Sequence, residues 1–211
     1  DRYTNIIQRA SKKGFFRYIK FFMEIINGRN NSIIKKNDEF NLSSVFFGNL
    51  SIFKLFINVF LHDVLKQGII IKHICFAVKN NYQSIINYYL DEIIKKESKR
   101  SSSINKILEA SIQRNVENSF HSLLQKVYSM DLKFKIKFGN LLLKSVDYKN
   151  FEAVKEITDI ILKKKPYFNF SEGFSEGASL GLNEICQYFI NKKFKINYDS
   201  FVDKCSKFGL L

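Results

Sequence analysis

The sequence predicts an all-α fold, a solenoid of stacked helix–turn–helix units. Three observations predict it. A pattern of small residue, turn residue and apolar stripe recurs along the whole chain with a period near 33. The 211 residues include nine glycines and one proline, too few for a loop-rich β architecture. The six full copies also place a stripe, apolar except at Thr158, five, eight and nine places beyond the turn, which is one face of a 3.6-residue helix.

The turn positions are Gly14, Gly48, Asn81, Asn115, Lys149, Gly181 and Gly209, separated by 34, 33, 34, 34, 32 and 28 residues. Four places before each stands Ala10, Ser44, Ala77, Ser111, Ser145, Gly177 or Cys205. Three places earlier again stands Ile7, Asn41, Ile74, Leu108, Leu142, Phe174 or Val202, all apolar but one. In the first copy the stripe is Ile19, Phe22 and Met23. In the second it is Phe53, Phe56 and Ile57, in a helix that stays periodic to Leu65. The third copy uses Ile86, Tyr89 and Leu90, and the fourth Phe120, Leu123 and Leu124. The fifth uses Val154, Ile157 and Thr158, and the sixth Cys186, Phe189 and Ile190. The seventh, "CSKFGLL", reaches its turn and stops, so the native chain is expected to continue past Leu211 and to begin before Asp1.

Each element has a physical reason. The small residue lets a short first helix lie close to its neighbour. The turn position needs a left-handed backbone, which glycine and asparagine tolerate. One helix pair cannot hide its apolar face alone, so stacked copies share a core. No break in composition splits residues 1–211, which are read as one repeat domain. Two stretches are irregular: "KKESKRSSS" (Lys95 to Ser103), read as a long loop, and "KKKPYFNFSEG" (Lys163 to Gly173), where Pro166 stops a helix.

The segments "GNLSIFKLFI", "KNFEAVKEIT" and "GLNEICQYFI" resemble the second-helix motif of the ankyrin repeat, with Lys20, Lys54 and Lys155 at its lysine. The resemblance spans nearly the whole chain, as six full copies and one partial. The family's threonine-proline-leucine-histidine motif and its glycine-alanine-aspartate hairpin segment are missing, so the β-hairpin fingers are expected to be reduced or absent. Another α-solenoid or a helical bundle without repeats would be the alternatives to an ankyrin-like solenoid.

Basic residues number 34 and acidic ones 20, a net charge of +14. That surplus favours an acidic partner: nucleic acid, an anionic surface or an acidic protein. Lys95, Lys96, Lys99, Arg100, Lys163, Lys164, Lys165, Lys192 and Lys193 follow second helices, where cations offset the helix dipole. No apolar run is long enough to cross a membrane. Cys75, Cys186 and Cys205 form neither a disulfide framework nor a zinc site and fit core places in the copies, as in a reducing intracellular compartment, cytoplasmic or nuclear. His62, His73 and His121 have no metal-ligand spacing, and His121 occupies an exposed position. No catalytic or nucleotide-binding motif occurs, so neither enzyme, cofactor nor small-molecule substrate is expected. "EGFSEG" falls where a first helix begins. Of the aromatic residues, Phe16, Phe22, Phe53, Phe56, Tyr89, Phe120 and Phe189 map to the core.

In ankyrin-like stacks the two residues before the turn lie toward the concave face, where partners bind. The resemblance therefore marks Lys12, Lys13, Phe46, Phe47, Lys79, Asn80, Gln113, Arg114, Asp147 and Tyr148 as candidate partner-binding residues, with Ser179, Leu180, Lys207 and Phe208 continuing the row. Cations beside aromatics suit an interface; a merely solvated face has the same composition. The expected role is a protein-binding module or scaffold, or alternatively a basic solenoid docking on RNA or another polyanion.

Overall fold

In the computed structural model, residues 9, 10, 13–15, 17–21, 48–60, 67–94, 100–114, 119–130, 134–194, 196 and 202 are described, and no strand occurs among them. The chain divides into two compact units, Asp1–Ser98 and Lys99–Leu211. The boundary falls inside the stretch with the most linker-like sequence. The first unit contains α1 (Leu50–Phe60), α2 (Gln67–Lys79) and α3 (Gln83–Tyr88), which runs into a π-helical turn at Tyr89–Ile93. The second contains α4 (Arg100–Arg114), α5 (Ser119–Ser129), α6 (Phe138–Asp147), α7 (Phe151–Lys164), α8 (Ser171–Ser179) and α9 (Asn183–Asn191).

The turns follow the register of the sequence. Gly14, Gly48, Asn81, Lys149 and Gly181 have φ of 71°, 75°, 59°, 55° and 67°. Asn115 and Gly209 lie outside the described residues. Just past four of these turns an amide reaches back over the turn. Those of Phe15, Tyr82, Asn150 and Leu182 donate to the carbonyls of Ala10, Ala77, Ser145 and Gly177, at 2.8, 2.9, 2.8 and 2.8 Å. The amides of Asn81, Lys149 and Gly181 donate to Val78, Val146 and Ala178 at 3.1, 2.9 and 3.0 Å. This pair of bonds is the Schellman closure of a helix end, which requires a left-handed residue. The small residue thus has two roles. Its carbonyl closes the turn, and its smallness lets the residue be buried at Ala10, Ala77, Ser111, Ser145 and Gly177.

Every described stripe side chain in the second to fifth copies is buried. The buried face is wider than the sequence pattern, because the position four beyond the turn joins it at Ile52, Ile85, Ala153 and Ile185. Ile190 is a correction: it is 48 % exposed, and Cys186 only half-buried; among the described elements α8 is the one packed closely on α9. Cys75 is likewise half-buried, not core, and Val202 is exposed. Phe16, Phe22, Met23, Cys205 and the side chain of Phe56 lie outside the described residues, as do His62 and Leu65.

Two irregular stretches also shrink. Residues 100–103 are helical, because burying Ser103 and Ile104 outweighs the weak helix preference of serine. Of Lys163–Gly173, only 165–170 are non-helical. The helix α7 runs to Lys164, and α8 starts at Ser171 with Asn169 Oδ1 accepting its amide at 2.9 Å.

Within Lys99–Leu211, α6 packs against both α4 and α8, while α5, α7 and α9 pair with α4, α6 and α8. Polar side chains fix this stacking. Asn150 caps α7 by accepting the Ala153 amide at 3.1 Å, and its amide group donates to the Ile112 carbonyl near the end of α4 at 3.0 Å. At the opposite end, the Lys135 amide donates to Ser101 Oγ at 3.0 Å and the Lys137 amide to Asn105 Oδ1 at 2.8 Å. Asn105 in turn donates to the Lys135 carbonyl at 2.9 Å. Starts meet starts and ends meet ends, so α4 and α6 run in the same direction. Asn150→Ala is expected to cost about 2–3 kcal/mol in urea melts, from a lost cap and a lost buried hydrogen bond. Asn150→Asp keeps the cap but cannot donate to Ile112, and should recover only part of that loss.

In Asp1–Ser98 the same place one beyond the turn leans on the preceding copy. The Tyr82 ring lies 3.1 Å from where a Cβ on Gly48 would stand. Gly48 is therefore held by its positive φ and by the ring above it.

Candidate functional site

The row of residues before the turns lies at the ends of first helices. Lys13 beside Gly14, Lys79 at the end of α2 and Asn80 just beyond it are exposed. In Lys99–Leu211, Gln113 is exposed and Arg114 half-buried at the end of α4. Asp147 and Tyr148 are half-buried at the end of α6, and at the end of α8 Ser179 is half-buried and Leu180 exposed. Because α4, α6 and α8 pack in order, their six residues share one end of the layer. Lys12, Phe46, Phe47, Lys207 and Phe208 lie outside the described residues.

Asp147 is not a solitary acid. Its Oδ2 accepts from Lys144 Nζ at 2.9 Å, one helical turn earlier. That hydrogen bond and charge raise the pKa of Lys144, with Tyr148 and Glu109 adding to the effect. The end of α6 thus joins the cleft between α4 and α6. This cleft, of about 260 Å³, is lined by Ser101, Ser102, Asn105, Lys106, Glu109, Lys135, Lys137, Asn140, Leu141 and Lys144. Its lysines were not among the residues singled out from sequence. The available signal was alternation: in "FKIK", Phe134 and Ile136 are half-buried and Lys135 and Lys137 exposed.

The second helices form a larger groove of about 910 Å³ between α5 and α7, with Phe120, Leu124, Tyr128, Phe151 and Ile160 among its walls. His121 is exposed as expected, yet its Nδ1 lies 2.8 Å from Glu156 Oε1. Lys164 Nζ sits 4.8 Å from the Phe138 ring centroid and 5.7 Å from that of Tyr128. Lys164 therefore has local ring partners as well as a helix end to offset. Burial, aided by the Glu156 charge, raises the Tyr128 phenol. Burial and Asp159 push Tyr188 up to about 12. The Tyr188 phenol remains protonated at neutral pH.

The sequence placed His121 in solvent but gave no role to His73. His73 is buried where the other copies have Ile107, Leu141 and Gly173, eight places before the turn. Aligning the copies would have found it.

Among the described residues no group of three or more His, Cys, Asp or Glu side chains could hold a metal ion. No helix there is long and apolar enough to cross a membrane. No family model, no curated protein and no solved structure matches the chain.

Proposed function

We propose that the chain is an ankyrin-like, non-catalytic module that binds a protein partner along the ends of its first helices. One observation carries this reading: three adjacent first helices present Gln113/Arg114, Asp147/Tyr148 and Ser179/Leu180 at one end, all of them wholly or partly open to solvent. Arginine and tyrosine are the residues that dominate binding energy at interfaces. The periodic left-handed turns support the ankyrin-like description, and the cysteine spacing supports a reducing intracellular setting.

The test is affinity capture from nuclease-treated lysate, followed by titration of the captured protein. Arg114→Ala with Tyr148→Ala is expected to weaken binding about tenfold or more, with little change in the thermal melt. Loss of binding only together with unfolding would make these residues structural. Docking on RNA is the second reading, supported by the net charge of +14. It requires binding that nuclease treatment abolishes, and an affinity for RNA that falls by roughly 10³–10⁵ between 50 and 200 mM salt.

A further inference from the structure

We infer that the cleft between α4 and α6 grips an extended acidic peptide stretch of the partner. This rests on the protein-binding reading above and adds the chemistry of what is held. Four lysines, Lys106, Lys135, Lys137 and Lys144, line the cleft against one acid, Glu109. The Lys144 charge is shared with Asp147, which leaves the Lys135/Lys137 side the more strongly positive.

Geometry selects the occupant. Lys135 and Lys137 are two apart on a non-helical segment, whose amides are held by Ser101 and Asn105. Both are exposed while Phe134 and Ile136 are half-buried, so the two lysines open on the same side of the segment. A partner strand with acids at alternate positions, which share one face at roughly 7 Å spacing, presents its carboxylates to that side. The wall is already fixed by three hydrogen bonds to α4, so the lysine backbone needs no ordering when the peptide arrives. A nucleic acid fits less well. No lining residue has an aromatic ring for base stacking, and Glu109 would repel a continuous phosphate chain more than spaced carboxylates.

The probe is a short synthetic peptide alternating glutamate and serine, titrated into the full chain at low salt. Two controls accompany it: an alternating lysine-serine peptide and an oligouridylate of equal length. The acidic peptide should bind, and Lys135→Glu with Lys137→Glu should weaken it about tenfold or more. Lys163→Glu with Lys165→Glu, the same charge change at the end of α7, should alter it less than about twofold. Equal losses in the two variants would reduce the effect to net charge and overturn the inference. So would absence of peptide binding, or oligouridylate binding that is tighter and more sensitive to Lys135→Glu and Lys137→Glu. A captured protein partner whose affinity ignores the Lys135/Lys137 variant would sink this inference while leaving the partner-binding reading in place.

Discussion

Replacing Phe170 with alanine is expected to destabilise the Lys99–Leu211 unit by about 3–5 kcal/mol, as for other large core truncations. Phe170 is 1 % exposed and sits just ahead of α8, eleven places before the turn. The same place holds Ile70, Ile104 and Phe138 in other copies, all buried. Its ring stacks on Phe194 at 4.3 Å, meets Phe168 edge-on at 4.9 Å and lies 5.9 Å from Phe189. One truncation therefore opens a cavity between the start of α8 and the end of α9, and removes several ring contacts that will not add independently. Tyr167, three residues earlier, is 99 % exposed, and its alanine variant should change stability by less than about 0.5 kcal/mol. Urea melts that give similar losses at both positions would refute the packing of this end.

The second large effect depends on pH. Burial, with the neighbouring Lys72 charge, lowers the His73 pKa from 6.5 to about 4. At neutral pH the ring is uncharged in both folded and unfolded chains, and it contributes no pH dependence. Between pH 6.5 and 4 the unfolded chain takes up a proton that the folded chain refuses. Stability therefore falls as pH drops through that window and levels off below about 4. The loss attributable to His73 is about 3 kcal/mol, from a shift of that size at 1.36 kcal/mol per unit. His73→Leu, which supplies the side chain that Leu141 has at the same place, should lose this part of the acid limb. Urea melts of both proteins at pH 7 and pH 4.5 read the difference directly. An identical decline in the two would show that His73 is not buried in its neutral form.

The helix pairs and turns were legible because period and residue size survive in the letters. At Lys149 neither glycine nor asparagine marks the turn. Register alone located it, and its φ of 55° agrees. The missing parts depend on contacts between copies. Asn150 reads as an ordinary cap until the Ile112 carbonyl, 38 residues away, is seen beneath it. The serines at 101–103 read as linker because composition does not show what Ser103 and Ile104 pack against. The candidate row was legible as positions, though half-burial of Arg114, Asp147 and Tyr148 could not be read from spacing. The cleft lysines were hidden because they come from two copies, and their shared wall exists only after Ser101 and Asn105 meet the "FKIK" segment.

The bonds that close each turn join one main-chain group to another, so the geometry asks little of the side chains it holds. Glycine, asparagine and lysine occupy the same left-handed place within one chain, and the carbonyl received over the turn belongs to alanine, serine or glycine. Lysine there costs about 1 kcal/mol relative to glycine, a sum that packing elsewhere absorbs. Under mutation, such a joint keeps its shape while its spelling drifts. Ancestry in a chain built this way erodes first at the level of letters and last at the level of spacing.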